Sequence, residues 1–68
     1  MLNDQQKEYL RLCTLSQAAP SADQYVAYMS RMDELYANFT SSETDAIEEW
    51  LDRLYRGEET EDITDLGY

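Results

Sequence analysis

The carboxylates Asp45, Glu48, Glu49 and Asp52 recur at spacings of three and four, and Glu58, Glu59, Glu61, Asp62 and Asp65 follow within a few residues. Side chains three and four apart share one face of a helix, so the first set forms a wall of negative charge. Carboxylates at this density have three chemistries open to them: moving a proton, holding a cation, or pairing with a basic surface. Proton transfer needs a carboxyl whose pKa is raised in a dry cleft, and this pattern describes a wet face. A calcium loop alternates its acids around a central glycine, whereas the glycines here are Gly57 and Gly67, neither so placed. Electrostatic pairing is the chemistry that remains.

Other reactive residue types are scarce. The chain has no histidine, so a nucleophile would lack its usual base, and one cysteine with no histidine is a poor zinc set. Cys13 has Arg11 two positions away on a different helix face, which offers a thiolate no stabilisation; it reads as a small core residue. No glycine-rich loop is present to cradle phosphate. An enzyme is not expected, nor a cofactor, nor a metal.

Between Glu43 and Asp65 lie ten of the fifteen acidic residues, against Arg53 and Arg56 alone, so this stretch carries −8 of the formal −10. A net charge of roughly 2–8 already keeps a small domain soluble, and the excess points to a partner with a basic surface. The same charge repels nucleic acid and anionic membranes, so neither is an expected direct partner. No apolar run is long enough to span a bilayer, and the polar start Met1-Leu2-Asn3-Asp4-Gln5-Gln6 is unlike a signal peptide. A lone cysteine in so small a chain fits a reducing compartment, and a cytoplasmic location is expected.

Three helices must position these groups. The first is expected over 3–19, capped by Asn3 or Asp4 and ended by Pro20. Its apolar line is Leu2, Tyr9, Leu12 and Cys13, interrupted by Gln5, Gln6 and Ser16, with Leu10 and Leu15 to either side. Those two leucines either broaden the core or touch a partner. The second helix, 21–38, opens on the capping-box pattern Ser21-Ala22-Asp23-Gln24. Tyr25, Tyr28, Met29, Met32, Leu35, Tyr36 and Phe39 then fall within an arc of about 120°, the width of one buried face, although two methionines and three tyrosines would also suit an adaptable binding groove. The third helix, 41–56, follows the capping box Thr40-Ser41-Ser42-Glu43 and stops at Gly57, with Ile47, Trp50, Leu51 and Leu54 as its apolar stripe.

These elements make an all-α fold, a small three-helix up-down-up bundle over 1–57, with an acidic, flexible C-terminal tail over 58–68. Like charges hold such a tail extended, and deleting it costs little stability if it is solvated. Ile63, Leu66 and Tyr68 nevertheless need burial: they either fold back on the bundle or form a short peptide that a partner reads. A core this small also leaves room for a homodimer that covers the weaker face of helix one.

The functional expectation is a non-enzymatic acidic binding protein that engages a basic surface of another protein. Its partner-binding set is Asp45, Glu48, Glu49, Asp52, Tyr55, Glu58, Glu59, Glu61, Asp62 and Asp65, with Tyr55 either an anchor beside the acids or a border of the core. Helical carboxylates repeat every ~5–6 Å, against one charge per ~1.7 Å of duplex DNA, so one helix cannot copy a duplex. Helix plus tail could copy a stretch of single strand. In its general charge character the chain resembles the small acidic inhibitors that phages make against host nucleic-acid enzymes. That resemblance implies mimicry of nucleic acid at the target's groove, and it carries over no site residue. A short frame opening at Met1 is what a compact viral or plasmid genome is expected to encode. The alternative is a small assembly or adaptor protein, with a homodimer as one form, that binds through Leu10, Leu15 or the terminal residues 63–68 while charge merely steers.

Overall fold

Each helix begins where a side-chain oxygen can take up a backbone N–H that has no partner within the helix. In the computed structural model, which describes residues 2–63, the elements are α1 (Asp4–Gln17), α2 (Ala22–Ala37) and α3 (Ser41–Tyr55). Asn3 and Gln6 form a capping box on α1, and Thr40 and Glu43 form one on α3. On α2 only half the expected box is present: Ser21 accepts the Gln24 N–H at 3.2 Å. Helix α1 closes two residues before the expected Ala19, with Ala18 as its cap, because the residue before Pro20 avoids helical geometry.

Four contacts set the directions of the helices. Tyr9 meets Tyr36 at a centroid distance of 6.0 Å and Phe39 at 5.8 Å, placing the end of α2 beside the first half of α1. Arg31 also donates from Nε to Glu8 Oε2 at 2.7 Å. These helices therefore run antiparallel. The start of α3 returns to the start of α1, where the Gln6 Nε2 donates to the Glu43 carbonyl at 3.0 Å. Up, down, up is the result.

The core is built on α1. Leu10, expected to one side of the main seam, is wholly buried and packs with Leu2, Ile47 and Ile63; Tyr9, Phe39, Ala46, Trp50 and Leu51 close around them. Gln6, read as an interruption, is buried in the same face, with its amide spent on Asn3 and Glu43. The seam thus runs through residues 2, 6 and 10, a four-residue period that a satisfied glutamine can join. Leu15 stays over a third exposed, at 37%.

The long stripe of α2 sinks unevenly. Met32 and Leu35 are buried, Tyr28, Met29 and Phe39 are half-buried, and Tyr25, Val26 and Tyr36 stay exposed. Helix α1 covers one shoulder of the stripe, while α2 and α3 have the least contact of any helix pair. The expectation that all seven residues form one buried face is corrected accordingly. On α3, Ile47 is buried and Leu54 is 47% exposed, so that stripe also fades towards its end.

The chain beyond α3 does not leave the bundle. Gly57 adopts φ +78°, a region that costs a residue with a Cβ atom but not glycine. Its N–H donates to the Leu54 carbonyl at 3.1 Å, and the Glu58 N–H to the Arg53 carbonyl at 2.9 Å. This pair of bonds is the Schellman arrangement, which satisfies the last carbonyls of a helix and turns the chain. Residues 58–63 then run back beside α3 without helix or strand, as repulsion among their acids requires, and Ile63 ends in the core. Of the two fates open to Ile63, folding back is the one observed; Leu66 and Tyr68 lie outside the described residues.

A core of this size supplies roughly 3–5 kcal/mol, so single large-to-small changes are decisive. Leu10→Ala should cost about 2–5 kcal/mol and leave little folded protein. Ile63→Ala should cost about 2 kcal/mol, a fall of roughly 10 °C in Tm for a chain this short, read by far-UV circular dichroism. An unchanged Tm in Ile63→Ala, or on deletion of residues 58–68, would show that the returning segment carries no packing.

Candidate functional site

The acidic side of the molecule is a ridge on α3. Asp45, Glu48, Asp52 and Tyr55 follow one another at steps of three, four and three, and all four are exposed. At ~1.5 Å per residue the ridge is about 15 Å long. It lies opposite Ile47, which anchors α3 to the core. Tyr55 is 77% exposed, so it stands at the end of the ridge and does not border the core.

Much of the acid nearby is already engaged. Glu43 accepts the Thr40 N–H at 2.9 Å and the Asn3 Nδ2 at 2.6 Å. These donors, the Thr40 amide first, hold its carboxyl below the usual glutamate range. Glu49 pairs with Arg53 at 2.8 Å and Asp52 with Arg56 at 3.1 Å, both as acid-first pairs four residues apart. Arg56 also reaches Glu58 at 3.0 Å, tying the first residue past the turn to the helix. Such exposed pairs contribute only about 0.3–0.5 kcal/mol each. Asp62 has an interaction of its own.

Glu61 is exposed but its polar groups are used within the fold. Both its carboxylate oxygens accept the Leu2 N–H, at 3.1 Å each, and its carbonyl accepts the Trp50 indole N–H at 2.8 Å. Among the described residues no cation pairs with Asp45, Glu48 or Glu59. The expected partner-binding set therefore divides. Asp45, Glu48, Tyr55 and Glu59 present an outer surface, Glu49, Asp52 and Glu58 are exposed but tied to arginines, Asp62 has an interaction of its own, and Glu61 is a structural clasp. Asp65 lies outside the described residues.

The returning segment creates a feature that the sequence pattern did not disclose. A cleft of about 200 Å³ opens between α3 and residues 60–61, lined by Leu2, Ala46, Glu49, Trp50, Arg53, Thr60 and Glu61. Its only signal in the sequence was Ile63, an apolar residue stranded among acids, which had to be buried somewhere.

Elsewhere the reactive groups are muted. Burial pushes the Cys13 thiol up, the opposite of what an activated nucleophile needs. Burial, with Cys13, Tyr36 and Asp33 adding, also raises the Tyr9 hydroxyl. Among the described residues no three His, Cys, Asp or Glu side chains gather as a metal-holding group, and no helix is long and apolar enough to cross a membrane. No protein-family model matches the chain, and no curated protein or solved structure is detectably similar to it.

Because the Glu43 carboxyl is depressed when folded, its contribution is full above the ordinary glutamate value of about 4.3 and is lost as pH falls through its lower folded value. An NMR titration of the side chains should find the Glu43 midpoint below that ordinary value. In Asn3→Ala the midpoint should move part of the way back, since the Thr40 amide remains. A wild-type midpoint at the ordinary value would remove Glu43 from the junction of α1 and α3.

Proposed function

We propose that this chain is a non-enzymatic binding protein whose acidic ridge engages a basic surface on another protein, acting as an inhibitor where that surface serves nucleic acid. The observation that carries this reading is that Asp45 and Glu48 stand exposed on the ridge without a pairing cation, while both nearby arginines are committed elsewhere.

Helix stability gives no reason for this concentration of acid. The favourable pairs Glu49–Arg53 and Asp52–Arg56 contribute ~0.2–0.5 kcal/mol each, and the like-charge pairs Asp45–Glu49 and Glu48–Asp52, also four apart, take back about as much. The acids on the middle of α3 thus bring close to no net stability. A charge that the fold does not need is available for steering: complementary potentials raise encounter rates and reject wrong partners.

A second reading rests on the uncovered shoulder of α2. Tyr25 and Val26 are exposed on a molecule whose core is small. Such a surface would serve an assembly or adaptor protein, or a second copy of the chain, and contact through it would tolerate salt. The charge of −10 opposes pairing of two identical chains, which favours the acidic-ridge reading.

The two are separated by capturing binding proteins from a cell lysate on the intact chain and eluting with a salt gradient or with DNA. The ridge reading expects a basic, nucleic-acid-binding protein that elutes at moderate salt and is displaced by DNA. The double variant Asp45→Lys, Glu48→Lys leaves every ion pair on α3 intact and should lower affinity for that protein about tenfold or more with helicity unchanged. Retention through high salt, or full binding by the folded double variant, would overturn the ridge as the binding surface.

A further inference from the structure

The cleft beneath residues 60–61 has the size and chemistry to take one side chain, not a metabolite. Small-molecule sites usually span ~300–1,000 Å³, and this one is about 200 Å³. Its apolar lining comes from the Trp50 indole, Ala46 and Leu2; its polar lining comes from Glu49, Thr60, Glu61 and Arg53. An apolar stem with a cationic, planar head matches that distribution.

We propose, resting on the acidic-ridge reading, that this cleft is where an arginine side chain of the basic partner anchors. Three observations on the same few residues support it. First, the indole is held in place from outside the ring, since its N–H is spent on the Glu61 carbonyl at 2.8 Å. A fixed aromatic ring attracts a cation, and guanidinium stacks on it better than ammonium does. Second, Glu49 already holds a guanidinium: Arg53 sits on it at 2.8 Å while remaining half exposed. The chain's own arginine shows that Glu49 can be met by this group, and an exposed pair of this kind opens readily. Third, charge complementarity favours the occupant. Asp45 and Glu48 are exposed within four residues of Glu49, so their charge draws cations to this part of the surface.

In this arrangement the incoming guanidinium displaces Arg53 from Glu49, the stem lies along Trp50, and Arg53 swings into solvent. The displaced arginine makes the site self-limiting: the chain carries its own weak competitor. Glu61 adds negative charge to the rim, while its carboxylate is positioned by the Leu2 N–H.

Trp50 is the only tryptophan in the chain, so its indole N–H resonance reports on the cleft without labelling chemistry. The intact protein would be titrated at fixed low ionic strength with an acetylated, amidated tetra-arginine peptide, with the tetra-citrulline peptide as a neutral isostere. The expected result is a saturable shift of the Trp50 indole N–H and of the Ala46, Glu49 and Thr60 amides. Citrulline should produce no such shift. Affinity should fall about fivefold in Glu49→Gln and rise about twofold in Arg53→Gln, with circular dichroism unchanged in both. Movement of the Asp45, Glu48 and Asp52 amides without the indole would overturn the cleft and leave the ridge reading standing. So would wild-type affinity in Glu49→Gln. No shift anywhere on α3 would overturn both.

Discussion

The fold depends on the place where two helix starts are joined through their caps. Asn3 and Gln6 satisfy each other's free groups at the start of α1, and Thr40 and Glu43 do so at the start of α3. The two boxes are then linked: Gln6 donates to the Glu43 carbonyl and Asn3 to the Glu43 carboxylate. Because Gln6 is buried, losing either of its bonds would leave a polar group unsatisfied at about 1–3 kcal/mol, a large share of what so small a core supplies. Hydrophobic burial is not directional, but this junction is. It brings α3 back with Ile47 facing Leu10, and so decides that Asp45, Glu48 and Asp52 face water.

From that one decision the rest of the acidic side follows. With α3 oriented, its end at Gly57 points the chain back along the helix, and the residues met on the way are Trp50 and Leu2. Segment 58–63 is therefore held by attachments of different chemistry: an ion pair at Glu58, an indole bond and an amide clasp at Glu61, and burial at Ile63. None is strong alone. Together they convert what composition alone marks as an acidic tail into one wall of a cleft.

Local chemistry made much of this legible in advance. Capping residues, Pro20 and Gly57 placed three helices and their boundaries to within about two residues, because each acts over a single turn. Ile47 and the exposure of the α3 acids followed from helical period for the same reason. What stayed hidden was whatever depends on a neighbour distant in sequence. Leu10 looked marginal because its seam passes through Gln6, and a buried glutamine is invisible until its partner at Glu43 is known. The α2 stripe looked wholly buried because periodicity shows which residues share a face, not how wide a neighbour covers it. Glu61 looked like one more surface acid because nothing nearby in sequence hints at the Leu2 N–H.

The charge of the chain acts on folding and on the proposed binding with opposite sign. Closing segment 58–63 against α3 brings its acids towards Glu49 and Asp52, and Arg53 and Arg56 offset part of the repulsion on that side. Salt screens exposed charges beyond a Debye length of about 10 Å at 0.1 M, so it relieves this repulsion and favours the closed segment. The attraction between the ridge and a basic partner works over the same distances and is screened equally. Raising salt should therefore steady the molecule while weakening the proposed binding. A protein held together mainly by its charges would lose both at once. The small apolar core around Leu10, together with a cap junction made of directional hydrogen bonds, lets this chain carry so much unbalanced acid and still keep its ridge in one shape.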